Sequence, residues 1–244
     1  MSATLEERLL SVMDRKNHWA WGHFTRPGLS RGQLLVHFRH ELHTYVRDFP
    51  VLLARVLGQG PPDDVRNALA ANIAEEQTGH LSFGIAHPEL FLRMMEGLGF
   101  SRRDLLSPEP PLVPEAIAYR RFLDRVSLEP PWIVGAAVLT IFVEGSVHER
   151  AEREGRRSLP PVEEAIAEHP LVKFHGCPKE AMQLTRAHRA VEGGHRDDAW
   201  QMVLGHAPAD RSGQERIVAA MEEALDAWLL YRDGVARAMG LDAP

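Results

Sequence analysis

The sequence predicts an all-α protein, and three observations carry that expectation. No stretch sustains the two-residue alternation of a strand, and no Asn-Gly or Asp-Gly pair joins two alternating runs into a hairpin. Apolar residues recur at helical spacing along the whole chain. Clusters of proline and glycine cut that pattern into segments of helix length.

The elements follow in order. A first helix is expected over 3–16 and a long one over 30–57. Gly58-Gln59-Gly60-Pro61-Pro62 forms a turn, and Asp63 and Asp64 give the next helix, 62–83, a negative start that suits its dipole. A helix over 88–98 comes next, closed by the Ser107-Pro108-Glu109-Pro110-Pro111 break. Residues 113–126 read as helix up to Glu129-Pro130-Pro131, and 131–151 as another. Leu159-Pro160-Pro161 closes the segment that follows, and helices over 178–204 and 213–239 complete the chain. The linkers are short, no composition shift divides the sequence, and there is no internal repeat or low-complexity tract. One helical domain over 1–244 is therefore expected, with 1–29 as N-terminal helix and lead-in and 30–240 as the bundle carrying the candidate site.

The bulk numbers exclude several function classes. The chain has 244 residues, enough for a well-buried core, and carries a formal net charge of −6 with no Lys/Arg run able to track phosphates. A nucleic-acid partner is not expected. Its one cysteine, Cys177, excludes an internal disulfide and a cysteine-based zinc finger, and nothing in His175-Gly176-Cys177-Pro178 activates it. The opening MSATLEERLL does not read as a signal peptide, and the longest apolar stretch, 132–143, is too short to span a bilayer. A cytoplasmic protein without a membrane partner is expected. There is no G-x-S-x-G elbow, no phosphate-binding glycine loop, and no pair of the E-x-x-H motifs found in ferritin-like bundles.

Thirteen histidines prompt a search for metal ligands. His188, Glu192 and His195 stand four and three residues apart in TRAHRAVEGGHRDDAW, which places them on one stripe of a helix. Two imidazoles and a carboxylate on one face form a natural metal site. The competing reading is a solvated polar face, but Gly193-Gly194 inside a helix costs roughly 1–2 kcal/mol for the pair, which asks for a reason. Glu144 ends an apolar run in IVGAAVLTIFVEGSVHER. Either it is a buried carboxylate that needs a metal or a partner, or the helix has emerged into solvent with Glu144 and His148 as an exposed pair. Glu76 has His80 one helical turn away and His87 three turns away, and Pro88 disfavours helical geometry at His87. A ligand and a capping histidine are both compatible with such a break. Glu41, Tyr45 and Asp48 share a stripe of the long helix 30–57, as lower-ranked ligands, pocket residues or solvated surface.

Together these residues resemble the haem-oxygenase-like di-iron oxidases. These are relatives of the thiaminase-II and PqqC fold, among them the chlamydial p-aminobenzoate-forming protein and iron enzymes that desaturate, cleave or N-oxygenate amino and fatty acids. That family shows a glutamate, a histidine commonly followed by proline, a glutamate on a later helix, and then H-x3-D-x2-H. The matching positions are Glu76, His87 in His87-Pro88-Glu89-Leu90, Glu144, and His188 with His195; HPLVKFHG before the last motif is also similar. The resemblance covers roughly residues 30–240. Two departures stand out. Glu192 occupies the family's aspartate position, and the 43 residues between Glu144 and His188 imply an inserted loop.

The resemblance implies a single-domain haem-oxygenase-like helical bundle holding two Fe(II), or manganese, with O2 as co-substrate. It makes Glu76 a bridging ligand, has His87 and Glu144 complete opposite irons, and has His188, Glu192 and His195 anchor the pair. Between His80 and His87 it selects His87, with the helix ending between Gly79 and Ala86. The implied reaction is oxidation of a small amino-acid-like or fatty-acid-like substrate by desaturation, oxidative C–C cleavage or N-oxygenation, within a biosynthetic role; a homodimer is compatible with it. Two other readings remain at this stage. One is a metal-free PqqC-type oxidase using the histidines as acid–base groups. The other is a non-enzymatic helical binding protein with these residues scattered on its surface.

Overall fold

The computed structural model describes residues 3–243, apart from the side chains of residues 192–196. Among the described residues every regular element is helical. Helix α1, Leu5–Met13, is capped by the Thr4 hydroxyl and buries Leu9, Val12 and Met13. A short α2, Trp21–Phe24, leads to α3, Arg31–Glu41, whose start is a capping box between Ser30 and Gln33.

The expected helix 30–57 is not continuous. After α3 the backbone widens into a π turn, Leu42–Val46, bends at Asp48, and resumes as α4, Phe49–Leu57. Pro50 stands in the first turn of α4, where its missing N–H leaves nothing unsatisfied. Helix α5 runs Asp63–Thr78, so the expected 62–83 segment stops five residues early. Gly79 ends it in the left-handed conformation at φ +64°. Helices α6, His87–Gly97, α7, Arg102–Leu106, and α8, Pro114–Leu128, follow.

The expected helix 131–151 is also divided. Helix α9, Trp132–Ala136, passes into a second π segment, Ala137–Val143, which ends at Glu144; a turn then separates it from α10, Glu149–Arg153. The stretch read as an inserted loop contains α11, Val162–Glu168, and α12, Pro170–His175. Two long helices complete the chain: α13, Gln183–Gly205, and α14, Arg211–Ala238.

Helix α14 forms the spine. It packs on α8 most extensively, and also on α1, α3 and the second π segment. Tyr231 of α14 stacks on Tyr119 of α8 at 5.3 Å between ring centroids. Helices α4 and α5 lie side by side, and α13 closes against α5, α6 and the second π segment. Leu52, Leu53, Leu69, Leu90 and Phe142 fill the interior with essentially no exposed surface. Each such side chain contributes about 1.5–3 kcal/mol by leaving water. No described helix is long and apolar enough to cross a membrane. This packing leaves α5, α6, α13 and the end of the second π segment around one space, where the candidate residues meet.

Candidate metal centre

The centre begins with a reversal of the chain. Gly79 donates its N–H to the Glu75 carbonyl, and its own carbonyl accepts from Ser82 and Gly84. A Cβ at Gly79 would lie 2.4 Å from the Ile85 carbonyl oxygen, so the loop closes on itself at a position only glycine fills. The chain therefore returns beside α5. It delivers His87, the first residue of α6, against the helix turn that carries Glu75 and Glu76.

Both ring nitrogens of His87 meet carboxylates. Nδ1 lies 2.8 Å from Glu76 Oε1, and Nε2 lies 3.0 Å from Glu75 Oε1. Burial alone would lower the His87 pKa, but the two glutamates together outweigh it and raise it. Glu75 is fully buried and also receives the Leu81 N–H and the Ser82 hydroxyl. Burial pushes its pKa up, yet Ser82, Leu81 and His87 together bring it below the usual carboxylate range. Glu75 is thus an anchor for the ring, while Glu76 faces the open side.

His188, on α13, reaches the same point from across the cavity. Its ring centroid is 4.9 Å from that of His87. Ligand atoms of Glu76, His87 and His188 all lie within 4.8 Å of one another. That is the donor set of a site for a borderline-to-hard divalent ion: imidazole nitrogen with carboxylate oxygen, and no thiolate. Glu144 lines the same cavity of about 190 Å³, opposite a largely apolar wall that includes Phe49, Phe91 and Leu184. Its Oε1 accepts a hydrogen bond from Asn72 at 3.0 Å. The donor chemistry and the space between these residues fit a metal centre.

Of the six first-ranked candidates, the fold brings Glu76, His87, Glu144 and His188 to one cavity. Glu192 and His195 follow His188 along α13, but their side chains lie outside the described residues. The lower-ranked candidates separate. Tyr45 lines the cavity. Glu41 is bound by Arg232 at 2.7 Å, with the Tyr45 hydroxyl at 3.1 Å and His37 Nε2 at 3.6 Å. Asp48 is held by Arg47 and Arg120, which, with the Arg47 hydrogen bond leading, lower its pKa to about 2 against the effect of burial. Both carboxylates are committed to arginines. His80 is exposed in the loop after α5.

Sequence reasoning passed over Asn72 and the anchoring role of Glu75. Asn72 stands one helical turn before Glu76, a spacing that marks the same face. Nothing in the sequence distinguishes Glu75 from Glu76, since only the returning loop decides which carboxylate is enclosed.

This arrangement defines a class before it defines a family. A TenA homologue from Pseudomonas syringae pv. tomato str. DC3000 has the same fold: TM-score 0.69, 15% identity, with 96% of this chain and 91% of that one covered. The chain is thus a haem-oxygenase-like helical bundle with a His/Glu cluster inside it. No protein of curated function matches the sequence. The model of a family described as iron-containing redox enzymes matches residues 36–229, and the chain belongs to that family.

Proposed function

We propose that this protein is a non-haem di-iron oxidase or oxygenase that uses O2 to oxidise a small amino-acid-like or fatty-acid-like substrate. The observation that carries the proposal is the convergence of Glu76, His87 and His188 within 4.8 Å in the cavity that Glu144 also lines. Membership of a family of iron-containing redox enzymes supports iron as the metal. Glu76, His87, Glu144 and His188 would hold the ions, with Glu192 and His195 added from the same helix as the resemblance implies. When bound, the ions supply electrons to O2 and an oxidant to the substrate.

The chain's own residues have separable tasks. Glu75 fixes the His87 ring so that Glu76 and His87 face one point. Asn72 orients the Glu144 carboxylate. Phe49, Phe91, Leu184 and Val143 make one wall of the cavity apolar, which leaves room for a hydrocarbon portion of the substrate.

A metal-free oxidase draws on one observation: His87 is held as a proton carrier between two carboxylates. One experiment separates the readings. Protein loaded anaerobically with ferrous iron should retain about two ions per chain and consume O2 on exposure to air. A protein that retains no metal, or turns over without O2, would exclude the di-iron oxidase.

A further inference from the structure

Glu144 stands where the second π segment ends and the turn towards α10 begins. The last carbonyls of any helical segment have no N–H ahead of them to accept from. Here a residue far earlier in the chain answers them. Lys16, in the turn after α1, donates to the carbonyls of Phe142 and Val143 before Glu144 and to that of Gly145 after it. Its ammonium lies 3.2 Å from the Val143 oxygen and 2.6 Å from the Gly145 oxygen, and stands over the Phe142 ring at 4.8 Å. An ammonium has three N–H groups and no acceptor, so three carbonyls use it completely. A positive charge at the carbonyl end of a helix is also favoured by the helix dipole.

The same end of α1 presses on the turn in a second way. A Cβ at Gly145 would lie 2.8 Å from Met13 Cε, so the turn rests on α1 with no room for a side chain. Beyond the turn, Arg150 of α10 pairs with Asp14 at 2.8 Å and Glu7 at 2.9 Å, and Arg153 with Glu6 at 2.7 Å. Such partly exposed pairs are individually weak. The Lys16 bonds are charge-assisted and converge on one turn, so they carry more of the clamp. Glu144 is thereby held at two levels: Lys16 grips the backbone on both sides of it, and Asn72 bonds its carboxylate at 3.0 Å.

We infer that Lys16 is a positioning residue for Glu144: by gathering the carbonyls on either side, it fixes the turn that presents this carboxylate to the metal cavity. The match to the iron-containing redox enzymes begins at residue 36, so the inference places part of the support of the centre in the segment that precedes the matched residues. Its backbone half stands on the hydrogen bonds alone. Its consequence for iron rests on the proposed function.

The two halves are tested separately. Hydrogen–deuterium exchange of metal-free protein, read by mass spectrometry, follows the backbone. Lys16→Met should speed exchange over residues 141–149 by about tenfold or more while α5 and α6 change by less than about twofold, in keeping with the loss of charge-assisted bonds. Lys16→Arg, which keeps the charge and the donors, should restore most of the protection. Leu5→Ala, which weakens α1 at its far end, should not single out 141–149. Unchanged exchange in Lys16→Met, or an equal rise throughout the chain, would overturn the inference. Anaerobic titration with ferrous iron follows the centre. Lys16→Met and Glu144→Gln should each weaken one of the two ions by about tenfold or more, and the double variant should lose no more than Glu144→Gln alone. Full retention of both ions by Lys16→Met, or additive losses, would overturn the role in positioning Glu144. A wild-type protein that takes up no iron would exclude the di-iron oxidase, and the exchange measurement would still decide whether Lys16 holds the turn.

Discussion

The rings of His87 and His188 stand 4.9 Å apart at their centroids, inclined at 65°. The two residues belong to α6 and α13 and meet only because the loop after Gly79 turns α6 back beside α5. His188→Ala and Glu76→Gln should each lower ferrous iron binding by at least about half, with the helical circular dichroism signal intact. His80→Ala should leave the iron content unchanged. Inductively coupled plasma measurement on anaerobically loaded protein checks both. Loss of iron with His80→Ala alone would move the centre out of this cavity.

The reversal itself depends on Gly79. Gly79 and Gly84 both adopt positive φ, at +64° and +66°, but only at Gly79 would a Cβ collide with backbone. Gly84→Ala should cost about 1 kcal/mol, the conformational penalty alone. Gly79→Ala should cost at least about twice that and reduce bound iron, because the loop must open to clear Ile85. Thermal denaturation and metal analysis of the two variants provide the comparison. Equal melting temperatures would show that the tight contact is not limiting.

The Glu41–Arg232 pair should behave as a buried ion pair. Removing one partner by Glu41→Gln strands the other charge and should destabilise by about 3–5 kcal/mol. The double change Glu41→Gln with Arg232→Met should cost less than the sum of the single changes, since no uncompensated charge remains. Denaturant titration of the full cycle measures the coupling. Strict additivity would mean that the two groups do not act as a unit.

Acid stability should fall in a window set by buried neutral histidine. His37 is enclosed by Trp21, Phe24 and Phe38, and burial, opposed by Glu41 and aided by Arg232 and His40, lowers its pKa to about 4. The unfolded chain takes up this proton near pH 6.5, the ordinary histidine value, and the folded chain only near pH 4. Stability from this group is therefore lost as pH falls from about 6.5 to 4, by at most about 3 kcal/mol. His87 acts in the opposite sense, because its pKa is raised: its contribution is present below the unfolded value and is lost as pH rises through the folded one. Urea denaturation of wild type and His37→Gln across pH 4–7 should give a flatter profile for the variant. Parallel profiles would assign the acid sensitivity to other groups.

The helical class and most breaks were legible because proline and glycine act locally. Pro61-Pro62, Pro110-Pro111 and Pro130-Pro131 all separate helices as their chemistry requires. Pro88 likewise marked the break at His87, while the choice of His87 over His80 came from the family resemblance. The two π segments were not legible: a helix that gains one residue per turn has no apolar signature distinct from its α neighbours. Nor were the partners of Glu41 and Asp48. Arg232 lies 191 residues from Glu41 and Arg120 lies 72 from Asp48, so a stripe of carboxylates on one helix revealed nothing about the cations opposite. Glu144 occupied both alternatives at once, since it is exposed by area yet faces the same cavity as Glu76.

Tyr45 and Val143, which line both the metal cavity and a neighbouring cavity of about 300 Å³, each lie in one of the two π segments. The boundary between the two cavities is thus framed by surplus residues in the helical ladder. Deleting one residue from Ala137–Val143 would restore α spacing and remove the widened turn, leaving the helix beyond it close to its present register. Helix pitch, and not side-chain size alone, therefore shapes the boundary at these two residues. Variants that lengthen or shorten the backbone there by one residue would reshape both cavities at once, in a way that no single side-chain replacement reproduces.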